Sequence, residues 1–175
     1  MNRWLVLTAA LPAAPSALRV RIWRSLRATG CATLRDGVYI LPASAATAPE
    51  LWSIERAIRD GGADAHMLAL TARDGAQEEA FALLFDRSEQ YAEFMQSLKD
   101  ARKTIKSASV VDLRKALRTL GQQLGALRAI DFFPGKSGAA AAAGFETLRA
   151  EIERQLSPGE PLPTKGAVVK RSKKS

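Results

Sequence analysis

The sequence predicts an α+β protein: a ferredoxin-like βαββαβ domain followed by an α-helical hairpin or bundle extension. Three observations carry this. Residues 4–9 read WLVLTA, apolar on both faces of a strand; Asp36-Gly37 sits between two β-prone runs; and residues 76–156 show helical periods only. With 47% hydrophobic residues in 175, the chain has enough apolar surface for a real core.

A strand apolar on both faces is central in its sheet and covered on both sides, so strand 1 is placed there. Pro12 and Pro15 mark a turn, and Ser16 is placed to cap the next helix. Leu18, Ile22 and Leu26 recur every four residues along that helix, and Gly30 ends it. Asp36-Gly37 then predicts a hairpin. Its first run, ending in Arg35, suits an edge; its second, Val38 to Leu41, suits a central position. Pro49 to Asp60 reads as a helix with Leu51, Ile54 and Ile58 inward, closed by Gly61-Gly62. Residues 63–71 give the last strand. The order β-α-β-β-α-β puts strands 1 and 3 in the middle of an antiparallel sheet with both helices on one face. The bare face needs a cover.

The second half is expected to supply it. Phe81, Leu84, Ser88, Tyr91, Met95, Leu98, Arg102 and Ile105 fall at three- and four-residue steps, as do Leu113, Leu117, Leu120, Leu124 and Leu127. A break at Ser107-Ala108-Ser109 predicts two long helices in a hairpin. Phe132-Phe133-Pro134-Gly135 ends the second, and a shorter helix runs from Ala139 past Ile152. The predicted organisation is residues 1–73, the sheet domain; 76–157, the helical extension; and 158–175, a disordered basic tail.

Charge is unevenly placed. The net +8 divides into +3 over residues 1–75, zero over 76–160 and +5 over 161–175. Within the helical half, residues 76–98 hold five acids and one base, while 99–118 hold seven bases and two acids. Acid at a helix start and base at its end suit the helix dipole. Seven bases at one exposed tip equally suit a phosphate-contacting surface. Both readings stand at this level.

Catalytic chemistry finds little support. His66 is the single histidine, set between apolar neighbours where a packed or hydrogen-bonded residue is the ordinary case, and a metal site or triad needs partners it lacks locally. Cys31 is the single cysteine, which excludes an internal disulfide. No Gly-rich phosphate loop is present. Leu7-Thr8-Ala9-Ala10 ends strand 1 without the aspartate that small ferredoxin-fold nucleases of CRISPR adaptation use to hold metal. No cofactor and no metal are expected, and the chain reads as a binding protein rather than an enzyme. It lacks an apolar run of the roughly 20 residues that span a membrane, and Met1 to Leu11 lacks the features of a signal peptide. A cytoplasmic protein is the expectation.

The run from Arg3 to Ala43, RWLVLTAALPAAPSALRVRIWRSLRATGCATLRDGVYILPA, resembles the opening of ChrB, the family of bacterial chromate-resistance regulators. The similar features are strand 1 with Trp4, the helix carrying Arg19, Arg21, Trp23, Arg24 and Leu26, and the hairpin D-G-V-Y-I-L-P. The helical stretch ending Ile130-Asp131-Phe132-Phe133 is similar too. The helix-plus-hairpin pattern is shared more loosely with phenylacetate-type repressors. The resemblance implies a transcriptional regulator controlling chromate efflux, with DNA as partner. Such proteins continue into a second domain, so chromate recognition is expected to need that half. DNA or anion contacts are expected at Arg19, Arg21, Arg24 and Arg27 on the first helix and at Lys103, Lys106, Arg114, Lys115 and Arg118 at the hairpin tip. The alternative is an interaction module without DNA binding, a homodimer formed through strand 4 or the seam of the helical hairpin. A third reading is a chromate reductase acting through Cys31.

Overall fold

A computed structural model describes residues 2–11, 17–44 and 46–156. The expected Pro12–Pro15 turn, the Ser16 cap and the basic tail lie outside them.

The chain runs β1 (Arg3–Ala9), α1 (Ala17–Ala28), β2 (Ala32–Arg35), β3 (Val38–Pro42), α2 (Thr47–Asp60) and β4 (Ala65–Thr71), then α3 (Gly75–Leu83), α4 (Ser88–Thr104), α5 (Val110–Ala129) and α6 (Lys136–Leu156). The protein is α+β. Its four strands form one antiparallel sheet in the order β2-β3-β1-β4, with β1 and β3 central. The period-two alternation of β1 divides the core. Leu5 and Leu7 pack with Ile22 and Leu26 of α1 and Leu51, Ile54 and Ile58 of α2. Trp4 and Val6 point the other way, toward Ile40, Phe81, Phe85, Phe132 and Phe133. Gly37 makes the hairpin turn at φ +73°, a backbone that glycine adopts without a Cβ penalty.

The second face of the sheet is covered, as expected, by residues of the second half. Its cover is α3, Phe85 and the Phe132-Phe133 segment. Trp4 is fully buried, stacked on Phe85 at 5.8 Å between ring centroids and edge-on to Phe81 at 5.4 Å. Its indole Nε1–H donates to Glu78 Oε2 at 3.1 Å, satisfying the one polar group that burial would strand. Truncating so large a buried ring costs about 3–5 kcal/mol. The long helices instead build a core of their own, with Tyr91, Phe94, Leu98, Leu113, Leu120, Leu124, Leu148 and Ile152 packed between α4, α5 and α6.

The seam from Phe81 to Ile105, read as interrupted at Ser88 and Arg102, is broken in the chain itself just before Ser88. A tight turn at Leu84–Arg87 separates α3 from α4. Asp86 accepts the backbone N–H of Ser88 at 2.9 Å, satisfying one of the orphan donors at the start of α4. Phe85 is thereby turned into the aromatic cluster, a role that the seam spacing did not assign it.

Candidate functional site

Between the two cores lies a junction built from residues far apart in sequence. Arg87 donates from Nη2 to the Gly30 carbonyl oxygen at 3.2 Å and from Nε to that of Ile130 at 3.4 Å. The Tyr91 hydroxyl donates to Asp131 Oδ2 at 2.9 Å. Burial first, then this bond to a carboxylate, pushes the Tyr91 phenol up to about 12. The Ile130-Asp131-Phe132-Phe133 segment is therefore a staple: Ile130 against Gly30, Asp131 on Tyr91, and the two phenylalanines under the sheet.

The cationic residues fall into two sets that the fold keeps apart. On α1, Arg21, Arg24 and Arg27 are exposed, and the Arg27 guanidinium lies 5.2 Å from the centre of the exposed Trp23 ring. Arg19 is half-buried and lines a small pocket of about 160 Å³ with Asp36 and Tyr39, so a carboxylate shares its surroundings. The other set, Lys103, Lys106, Arg114, Lys115 and Arg118, is exposed around the α4–α5 turn. Lys103 pairs with Asp100 at 2.8 Å, whereas Lys106, Arg114, Lys115 and Arg118 form no ion pair among the described residues. Asp112, in the first turn of α5, is engaged by Ser109 in the cap of that helix. Val110 and Val111 stand exposed beside these cations. The α1 set ends near the junction, since Gly30 touches Ile130, whereas the turn lies at the far end of α5, a 20-residue helix about 30 Å long.

A cleft of about 570 Å³ opens at the junction between α1, α2 and the end of α5. Its walls include Ser25, Thr29, Ser53, Glu50 and Phe132, with no cation among them. Such a lining does not suit a dianion.

Cys31 packs between the sheet's two cores, with its Sγ 3.2 Å from the Thr29 hydroxyl. Burial pushes its thiol up, the direction that suppresses the reactive thiolate. His66 is exposed on β4, contrary to the packed or hydrogen-bonded side chain expected there. Among the described residues no group of three or more His, Cys, Asp or Glu is placed to hold a metal ion, and no helix is long and apolar enough to cross a membrane.

The β4 edge carries a feature that sequence reasoning missed. Glu55 Oε1 accepts the Met67 N–H at 3.0 Å, and Arg59 Nε donates to the Ala65 carbonyl oxygen at 2.9 Å, while Arg59 and Glu55 pair with each other at 3.0 Å. Two of the outward backbone groups of this edge, the Met67 N–H and the Ala65 carbonyl, are thus occupied, which blunts part of it for further strand pairing. The i,i+4 spacing of Glu55 and Arg59 was visible in the sequence, but not their target.

Residues 19–123 match the family described as "Protein ChrB, N-terminal". Across 168 residues, 96% of the chain, the sequence is 36% identical to Protein ChrB of Cupriavidus metallidurans. The chain belongs to the ChrB family. It spans about half the length of that relative, 52%. All nine cationic candidates lie inside the ChrB N-terminal match. A solved structure, the uncharacterized protein Rv0674 from Mycobacterium tuberculosis, is similar in fold, with a TM-score of 0.51 at 15% identity, covering 89% of this chain and 62% of that one.

Proposed function

We propose that the chain is a DNA-binding regulatory module of chromate resistance, working by binding rather than by catalysis. Membership of the ChrB family supports the pathway. The observation that carries the DNA reading is the α4–α5 turn, where Lys106, Arg114, Lys115 and Arg118 are exposed and unpaired among the described residues. Phosphates are the natural counter-charge for such a cluster, because neutralising them releases condensed counterions. The arginines of α1 are the competing candidates for that contact. The order β2-β3-β1-β4 with antiparallel neighbours supports reading the first unit as ferredoxin-like.

Chromate recognition is assigned to the part of the family outside this chain. The junction cleft has Glu50 on its wall and no cation to meet a dianion. A reductase role for Cys31 is disfavoured by its raised thiol pKa. Loss of chromate tolerance in cells carrying Cys31→Ser, with the protein still folded, would restore that role.

The test is a titration of the chain onto the duplex upstream of its own gene and onto a shuffled duplex, repeated across salt concentrations. The upstream duplex is expected to bind more tightly at every salt, with log K falling linearly against log salt at a slope of about −4 for four or five phosphate contacts. Equal affinity for both duplexes rejects sequence-directed regulation by this module.

A further inference from the structure

We propose that the chain pairs with a second copy of itself through an open groove along α4 and α5, the two hairpins lying antiparallel about a two-fold axis. This rests on none of the DNA reading.

The groove is the side of the α4/α5 pair that α6 leaves uncovered. Two cavities of about 350 Å³ each lie end to end along it and share Ser97 and Gln123. Its middle is lined by small side chains, Ser97, Ala101, Ala116 and Thr119, which let another helix approach closely. At one end Gln90 Oε1 is buried with no hydrogen-bond donor among the described residues. A buried carbonyl of that kind ordinarily has a partner.

Charge selects the occupant. Glu93 lines the Gln90 end and is exposed and without an ion pair among the described residues, as is Glu89 one turn away. Lys115 lines the other end beside the remaining tip cations. Asp112, on the same wall, accepts from Ser109 and keeps its charge, which offsets one cation and leaves the tip net positive. The groove lining is thus acidic at the Gln90 end, where Arg128 lies outside it, and the tip beside the other end is net basic. A two-fold axis near Ser97 and Gln123 lays the acidic end of each copy against the basic end of its mate, and does so twice. It also brings the hydroxyl and ammonium donors of the second copy's tip toward Gln90. The face is two helices wide and about 30 Å long, roughly 600 Å² before side-chain relief, close to the ~800 Å² per partner of a standard interface.

Sedimentation equilibrium of the full chain over a dilution series, at low and high salt, tests this. A reversible dimer that weakens with salt is expected. Thr119→Arg, at an exposed position in the groove, should weaken it about tenfold or more without unfolding the chain. Glu93→Lys and Lys115→Glu should each weaken it about two- to fivefold, and the two together should restore it. A chain that stays monomeric throughout, a dimer indifferent to Thr119→Arg, or a double swap no better than either single change overturns the proposal.

Discussion

The Tyr91 hydroxyl donates to the Asp131 carboxylate across 40 residues of sequence, at 2.9 Å. That bond ties the start of α4 to the segment that closes the sheet's second face. It also makes stability depend on alkaline pH. Tyr91 holds its proton more tightly when folded, to about 12 against 10.0 for a free phenol. The contribution is therefore complete below pH ~10 and is lost as pH rises toward ~12. Thermal melts of wild type and Tyr91→Phe should diverge below pH 10 and converge between 10 and 12. A residual slope from Tyr39, whose pKa is also raised by burial and by Asp36, should remain in both. A difference that does not change with pH would exclude this account of the junction.

The Gly30 contact with Ile130 is a second test of the same joint. Gly30 has φ +76°, and a Cβ there would stand 2.7 Å from Ile130 Cβ. Gly62 has nearly the same φ, +79°, with open space around it. Alanine at Gly62 carries only the left-handed backbone penalty, about 1–2 kcal/mol. At Gly30 the clash adds to it, for about 2–4 kcal/mol. Urea unfolding of the two variants measures the difference. Equal losses would mean that Ile130 gives way freely.

How much of this was legible beforehand depends on the range of the interaction concerned. The double alternation of Trp4, Leu5, Val6 and Leu7 is local, and it correctly placed β1 at the centre of a sheet covered on both sides. Helix starts and stops around α1, α2 and α5 were likewise readable from apolar spacing and from Gly30, Gly61 and Ser109. Phe85 was not, because its neighbours continue a helical spacing that is overridden by one side chain, Asp86, capturing the Ser88 N–H. The second half was readable as the cover of the second face, but nothing in the spacing of Phe132-Phe133 says that they are the residues that reach Trp4. The exposed tip cations were legible as composition, but that Lys106, Arg114, Lys115 and Arg118 form no ion pair among the described residues needed the fold. So did the α4/α5 groove, which exists only because α6 packs on one side.

The Glu55–Arg59 clamp predicts a solubility phenotype. Replacing both residues by alanine frees the Met67 N–H and the Ala65 carbonyl at an uncharged seven-residue edge strand. About 1 kcal/mol should be lost for each hydrogen bond. More tellingly, concentration-dependent aggregation followed by light scattering should rise, because an unprotected edge is a template for further strands. A double variant as soluble as wild type would show that the clamp protects nothing.

The central claim is that the α4–α5 turn is the surface that meets DNA. The most direct measurement is the salt dependence of duplex binding for Lys106→Ala, Arg114→Ala and Arg118→Ala, singly and combined, beside a matched set at Arg21, Arg24 and Arg27. Lys115 is left in place because it also lines the groove. Each tip change should lower affinity and make the slope of log K against log salt shallower by about 1, with the triple variant close to −1. A triple tip variant that binds with unchanged affinity and slope, while the α1 set abolishes binding, would contradict the claim and move the interface to α1.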